Sequence, residues 1–520
     1  MKKVITKLIL VVAFFIGMNA NSNAQFTQQG NKLVGTGAVN NSPYGADQGS
    51  SVSISSDGNT AIVGGSGDNN AKGAVWFYTR IGGVWSQQGT KLIGTGAIGT
   101  YGPYQGGSVS ISSDGNTAIA GGDGDNSFAG AAWIFSRTNG VWHQQGSKLV
   151  GTGAVYGLSQ QGESVSISGD GNTAIVGGSG DSSGIGAVWI YTRTAGVWHQ
   201  QGNKLIGTGA FNPAQQGRSV SLSYDGNTAI VGGPNDNDEL NVKDIATGAA
   251  WVYTRSGGVW TQQGSKLVGS GTGTAGSLQG TSVSISSDGN TAIVGGWKDN
   301  GGRGAAWIFT RSGGVWTQQG SKLTGTGATA LDTRQGLSVS ISSGGNTAII
   351  GGWKDNNNIG AAWIFTRTGG VWTQQGSKLV GTGSVGSASQ GTSVSISSDG
   401  STAIVGGISD NSNAGAVWVY HTSHPSPRVE ETNSDFKNDF ILYPNPAKDN
   451  LTVEFTGSSD GNVKVNVYNL AGQDVMNIES PSVEGLNTFN LTTSNLVSGF
   501  YILEMTNNNV IQRQKFFVSK

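Results

Sequence analysis

Residues able to do chemistry are sparse in this chain, and their types narrow its functions before any fold is considered. There are four histidines and no cysteine. The missing thiols exclude disulfides, thiolate metal sites and cysteine nucleophiles. His143 and His199 replace threonine after a recurring tryptophan, His421 replaces the threonine of a recurring Thr-Arg pair, and His424 falls in a polar stretch. No nucleophile, base and orienting group stand together. The abundant Gly-Thr-Gly runs lack the Gly-Lys-Ser/Thr ending of a phosphate-binding loop. No catalytic residue and no cofactor is expected, although acids far apart in sequence could still converge as a pair.

Three other groups could bind a ligand. The first is an aspartate shortly after a Gly-Gly pair, at Asp68, Asp125, Asp181, Asp236, Asp299, Asp355 and Asp410, each with Asn or Ser after it. A ring of such carboxylates would attract a cation or a basic partner; the alternative is a turn in which each side chain bonds its own backbone. The second is Trp297-Lys298-Asp299 and Trp353-Lys354-Asp355. An indole beside a lysine and an aspartate suits a sugar ring or a polar peptide, or else folds onto the edge of the sheet. The third is the run from Pro234 to Thr247, with Asp236, Asp238, Glu239 and Asp244. It reads either as a metal loop or as a solvated surface loop, and no metal site is expected from spacing alone.

These groups sit on a repeat. Lys-Leu recurs at Lys32, Lys91, Lys148, Lys204, Lys266, Lys322 and Lys378, every 56 to 62 residues. The fifth copy shows the unit. Ser282 to Ser286 alternates small polar and β-branched residues, Asp288-Gly289-Asn290 is a hairpin turn, and Thr291 to Gly296 forms a second strand. Gly304 to Arg311 is a third strand, Ser312 to Gly314 a turn, and Val315 to Gln319 a fourth. Four antiparallel strands per copy make a propeller blade. The seventh copy ends at Tyr420 without its fourth strand, while an orphan fourth strand, Gln25 to Leu33, opens the repeat region with Phe26 in place of tryptophan. An all-β, seven-bladed β-propeller over 25–421, closed by its N-terminal strand, explains the offset; closure also protects sheet edges. If the first strand is innermost, the loops after strand two and between blades share one face. Those loops vary between copies, so recognition belongs there.

The repeat resembles the FG-GAP family of propeller repeats. The likeness lies in Gln279-Gly280 before Ser-Val-Ser-Ile-Ser, in Ile293-Val-Gly-Gly296, and in Gly304-Ala-Ala-Trp-Ile-Phe. This sequence has Gln-Gly where the family has Phe-Gly, and Gly-Gly-Pro only at Gly232–Pro234. The family's calcium loop has collapsed to a turn with one acid, such as Asp57 or Asp288, and copy six has Gly344 instead. One carboxylate cannot supply the six or more oxygens that calcium takes.

Composition changes after His421. A polar linker, 422–440, carries Pro425 and Pro427. Beyond it, alternating stretches at Leu451–Phe455, Val463–Tyr468, Thr488–Leu491, Phe500–Met505 and Gln514–Val518 predict a small β-sandwich over 441–520. Tyr443-Pro444-Asn445-Pro446, Val467 to Gln473, Leu496 to Leu503 with Gly499 and Tyr501, and Lys515 to Lys520 occur in that order. Together they resemble the type A sorting domain of type IX secretion. The resemblance implies reading by the outer-membrane secretion machinery, often with later removal of the domain and release or surface attachment of the cargo.

The N-terminus fits export. Lys2, Lys3 and Lys7 precede an apolar run from Leu8 to about Gly17, and Ser22 and Ala24 suit a cleavage site, so 1–24 reads as a signal peptide. No transmembrane segment is expected in the mature chain. A net charge of −1 with 12% charged residues argues against nucleic acid as a partner. Glycine, 88 of 520 residues, greatly exceeds the usual ~7% and suits tight turns. The expectation is a monomeric adhesion or binding propeller, secreted or displayed on the cell surface, with an extracellular protein or glycan as ligand. A glycan-binding lectin is the alternative, and a polysaccharide hydrolase a third reading.

Overall fold

A computed structural model describes residues 25–41, 45–99, 102–155, 157–211, 213–237, 246–273, 276–422, 440–444, 447–457, 461–469, 474–507 and 510–519. The expected signal peptide and nearly all of the linker lie outside these residues. The chain divides into two compact units, Met1–Pro425 and Ser426–Lys520.

The first unit holds seven four-stranded antiparallel sheets. Blades 1 to 6 each run through four consecutive strands. In blade 5 these are Ser282–Ile285, Thr291–Gly296, Ala305–Ser312 and Val315–Gln318. Blade 7 takes Gln390–Ile396, Thr402–Gly407 and Ala416–Thr422 from the end of the repeat region, and Phe26–Gln28 from its start. Phe26 stands opposite Thr422, Thr27 opposite His421 and Gln28 opposite Tyr420. Leu33 then exchanges backbone hydrogen bonds with Val417, at 2.7 and 3.0 Å. The ring is closed by the strand whose phase marks it as an orphan.

The repeated residue types reflect how a blade is locked. The third strand of each carries a fully buried tryptophan, Trp76, Trp133, Trp189, Trp251, Trp307, Trp363 or Trp418. The Trp307 indole donates to the Ser270 carbonyl at 2.8 Å, so its polar atom is satisfied in the core. A Cβ on Gly269 would lie 2.2 Å from this ring, which makes glycine obligatory there. Buried Gln279 accepts from the Gly269 N–H at 2.6 Å and donates to the Gly269 carbonyl at 3.0 Å. That closed pair explains the glutamine of every Gln-Gly, and the glycine is explained by its positive φ, 87° at Gly280, where a Cβ would lie 2.3 Å from the Ala249 carbonyl oxygen.

The outer tryptophan has a different task. Trp316 donates to Gln263 of the preceding blade at 3.0 Å, and Arg311 lies 5.4 Å over its ring while donating to the same Gln263. Gln29 of the N-terminal strand serves Trp85 and Arg80 of blade 1 in the same way, at 3.0 and 3.2 Å. The strand that completes blade 7 is thus also latched to blade 1.

The first strands are innermost. Their serines bond across blades, as Ser221 Oγ accepts from the Ile285 N–H at 3.2 Å. At the end of the axis formed by the strand one-to-two turns, backbone N–H groups donate from blade to blade: Ser287 to Ser343, Ser343 to Ser398, and Ser398 to Ser56. A cavity of about 160 Å³ lies inside this polar ring.

Buried Tyr78, Tyr191, Tyr253 and Tyr420 have hydroxyls without a hydrogen-bond partner among the described residues. Blades 2, 5 and 6 carry Phe135, Phe309 and Phe365 at the equivalent position. Removing an unpaired buried hydroxyl from a site that already accepts phenylalanine recovers its desolvation cost. Tyr253→Phe is expected to leave stability unchanged or raise it by about 1 kcal/mol, as read from the denaturant midpoint. A loss of similar size would show that a bound water satisfies the hydroxyl.

The second unit is the expected sandwich. Ile441–Tyr443, Asn450–Gly457 and Gly485–Thr492 form one sheet. Asp474–Ser482, Gly461–Asn469, Gly499–Asn507 and Val510–Val518 form the other, in that order. Leu451, Val453, Phe455, Val463, Val465, Leu503 and Phe516 fill the space between them.

Candidate functional site

The recurring aspartate organises the variable face but does not lie open on it. In every blade the carboxylate is almost fully buried and paired with the lysine of Lys-Leu; the pairs include Lys91–Asp68, Lys266–Asp236 and Lys322–Asp299 at 2.5 Å, and Lys378–Asp355. In blade 7 the partner is Lys32, from the N-terminal segment, at 2.5 Å from Asp410. The other carboxylate oxygen accepts a backbone N–H from the preceding inter-blade loop: Gly273 for Asp299 at 2.9 Å, and Thr329 for Asp355 at 2.8 Å. The next residue turns left-handed, with φ 51° at Asn300 and 49° at Asn356. Asn tolerates that geometry, which accounts for its place after six of the seven aspartates; Ser182 adopts the same conformation in blade 3. Asp299 and Asp355, expected beside the tryptophans as ligand-binding groups, are therefore corrected to internal struts. Their oxygens are used by lysine and backbone.

The tryptophans do come together, through a residue that its sequence position does not single out. Trp297 and Trp353 are half-buried, on equivalent loops of blades 5 and 6. Arg334, from the segment between those blades, lies with its guanidinium carbon 4.4 Å from the Trp297 ring centre and 5.1 Å from that of Trp353. Lys298 lies 5.3 Å from the Trp297 ring centre and Lys354 5.6 Å from that of Trp353. Three cations thus ride on two indoles, each an attractive contact. Asp332 joins them, 2.8 Å from Lys354 and 3.4 Å from Arg334. Partial burial pushes the Asp332 carboxyl up, but hydrogen bonds and charge from Lys354 and Arg334 outweigh it and hold the group below the usual carboxylate range.

Arg334 is held by its backbone. It precedes the locked Gln335, has φ 58°, and donates its N–H to the Gly302 carbonyl at 2.9 Å. The position before Gln-Gly has positive φ in all seven copies, at Asp47, Tyr104, Gln160, Gln215, Leu278, Arg334 and Ser389. The backbone is constant there while the side chain changes.

The same is true one step nearer the axis. A cavity of about 340 Å³ opens on the variable face, lined by Asp123, Glu163, Arg218, Thr281, Leu337 and Thr392 among others. Five of these come directly after Gln-Gly in successive blades; Asp123 comes after Gly-Gly in blade 2, as Trp297 does in blade 5. Arg218 pairs with Glu163, which also accepts from Ser179. Burial raises the Asp123 carboxyl, against the lowering effects of its local backbone N–H groups and Arg218. The residue after Gln-Gly differs strongly between copies, and that variation is a usable sequence signal for this cavity.

Of the acid-rich loop in blade 4, Asp236 is a strut like its counterparts, while Asp238, Glu239 and Asp244 lie outside the described residues. Among the described residues no three His, Asp or Glu side chains gather as metal ligands.

In the second unit Tyr443 is partly exposed and donates to Glu454 at 3.0 Å. Pro444 comes next, and Asn445 and Pro446 lie outside the described residues. Gly499 opens the strand that buries Tyr501, whose hydroxyl donates to the Val497 carbonyl at 2.9 Å. Lys515, on the last strand, pairs through its backbone with Ile502.

Residues 441–519 match the family described as the secretion system C-terminal sorting domain. Comparison with curated proteins gives no match. Among solved structures, the β-propeller domain of Myceliophteria thermophila Cps50 (Swd1) is 11% identical with a TM-score of 0.43, over 72% of this chain and 96% of that one. The β-propeller domain of the trilobed protease from Pyrococcus furiosus is 8% identical with a TM-score of 0.37, over 71% and 94%. Prolyl oligopeptidase B from Galerina marginata is 11% identical with a TM-score of 0.41, over 79% and 56%. Likenesses this remote carry no argument about activity.

Proposed function

We propose that this protein is a binding propeller delivered to the cell surface or beyond by type IX secretion, and that it engages an extracellular ligand through the variable face at blades 5 and 6. The observation that carries the binding site is the break in repetition there. Strands, struts and latches recur around the ring. Trp297, Arg334 and Trp353 do not, and they meet across a blade boundary. Export rests on the matched sorting domain. The adhesion reading rests on the combination of that route with a face whose side chains vary on a fixed backbone.

The two halves of the proposal separate experimentally. Truncation after Pro425 removes the second unit and leaves the ring strands intact. The truncated protein is expected to fold, with an unchanged melting transition, and to accumulate in the periplasm. Normal surface delivery would overturn the export route. The Trp297→Ala/Trp353→Ala variant of the full chain is expected to reach the surface folded and to lower attachment of cells to their natural substratum. Each stacking contact contributes about 1 kcal/mol, so many displayed copies are needed for firm attachment. Unimpaired attachment would place the ligand elsewhere.

A further inference from the structure

The charge balance at blades 5 and 6 names a ligand class. Three cations, Lys298, Arg334 and Lys354, stand over the two indoles. Asp299 and Asp355 do not offset them, because Lys322 and Lys378 already neutralise those carboxylates from within their blades. Asp332 is the acid that faces the cluster, and it bonds Lys354 and Arg334. The surface therefore keeps an excess of positive charge in a protein whose overall charge is −1. Arg334 is tied at its backbone to Gly302, and its guanidinium is held by the two indoles and Asp332, which leaves it ordered for a carboxylate or sulfate.

The shape argues for a chain that lies across the surface. Neither Trp297, Arg334 nor Trp353 lines the two axial cavities. A peptide partner would anchor large side chains in pockets. Here the two indoles instead carry a row of three cations across a blade boundary, which suits acidic groups spaced along an extended polymer. We infer that the Trp297–Arg334–Trp353 platform binds an acidic polysaccharide, one bearing carboxylate or sulfate groups along its length. The inference rests on the proposed binding site at blades 5 and 6 and gives it a chemical class.

The test uses the full chain with its signal peptide removed and four soluble probes: alginate, chondroitin sulfate, neutral dextran and polyglutamate. Binding is measured by calorimetry and by retardation in gels containing each polymer. Binding to alginate or chondroitin sulfate but not to dextran is expected, and which of the two binds separates carboxylate from sulfate recognition. Affinity should fall about tenfold between about 50 and about 300 mM salt, as exposed charges are screened. Arg334→Gln keeps both indoles and removes the central cation; it should cost about tenfold in affinity, with an unchanged melting temperature. Trp297→Ala/Trp353→Ala should lose measurable binding.

Equal binding to dextran would overturn the acidic class. Binding to polyglutamate but to neither acidic glycan would assign the platform to an acidic protein and overturn the polysaccharide. If no probe binds, yet the double tryptophan variant still lowers cell attachment, the proposed site stands and its chemical class falls. If no probe binds and attachment is unaffected, both fall.

Discussion

Removing residues 25–33 is expected to destabilise the propeller by about 5 kcal/mol or more and to make it aggregate. The deletion takes away the fourth strand of blade 7 and leaves Ala416–Thr422 as a new unpaired edge. It removes Phe26, which is 5% exposed, and burial of such a side chain is worth about 2–3 kcal/mol. It strips Lys32 from the buried carboxylate of Asp410, and breaking a buried pair costs about 3–5 kcal/mol. It also removes Gln29, the acceptor for Trp85 and Arg80 of blade 1, so the damage crosses the ring seam. Calorimetry and light scattering of the deletion variant check the prediction. A synthetic peptide of residues 25–35 added in trans should restore the transition, which a merely misfolded chain would not allow. A monomeric variant with the parent's melting temperature would refute closure as the source of stability.

Much of this architecture is readable from repetition, and the reasons are specific. Gln25 to Leu33 is legible as a displaced fourth strand because Gln-Gln-Gly and Lys-Leu recur at fixed offsets in six other places. Repetition also shows that a lysine and an aspartate keep company in each copy. It does not show that they touch, since Asp299 and Lys322 are 23 residues apart and meet only when the blade folds back on itself. The seven-fold recurrence of the aspartate points to a scaffold role, and the ion pairs supply its mechanism. Arg334 is hidden for the opposite reason. It lies in an inter-blade segment that varies between copies, and only the positive-φ turn before Gln335 brings it between two indoles. In the second unit the strand Asp474–Ser482 is not evident from its residues. It is an edge strand with Pro481 near its end, a residue that an interior strand would not tolerate.

The struts carry the other large effect. Asp299 has 1% of its side chain exposed, whereas Lys322 has 24%. The two ends of the pair are therefore unequal when one is cut. Lys322→Met leaves a buried carboxylate that keeps the Gly273 N–H but has lost its cation, and is expected to cost about 3–5 kcal/mol. Asp299→Ala leaves the lysine, which can turn its ammonium toward water, and orphans one backbone N–H; about 2–3 kcal/mol is expected. Asp299→Asn keeps an acceptor for Gly273 and should cost less than Asp299→Ala. The double variant Asp299→Ala/Lys322→Met should be milder than the sum of the single changes by about 1–3 kcal/mol, since no unpaired charge then remains. Urea unfolding of the parent, the two single variants and the double variant closes the cycle. Strict additivity would mean that the two side chains are not coupled in solution. The strut also braces the loop bearing Trp297, because the Asp299 carboxylate, two residues from that indole, ties the loop to the Gly273 N–H at 2.9 Å and to Lys322 at 2.5 Å. Asp299→Ala should therefore weaken ligand binding even where the propeller remains folded, and Asp125→Ala, which cuts the same strut in blade 2, should lower stability without touching that loop.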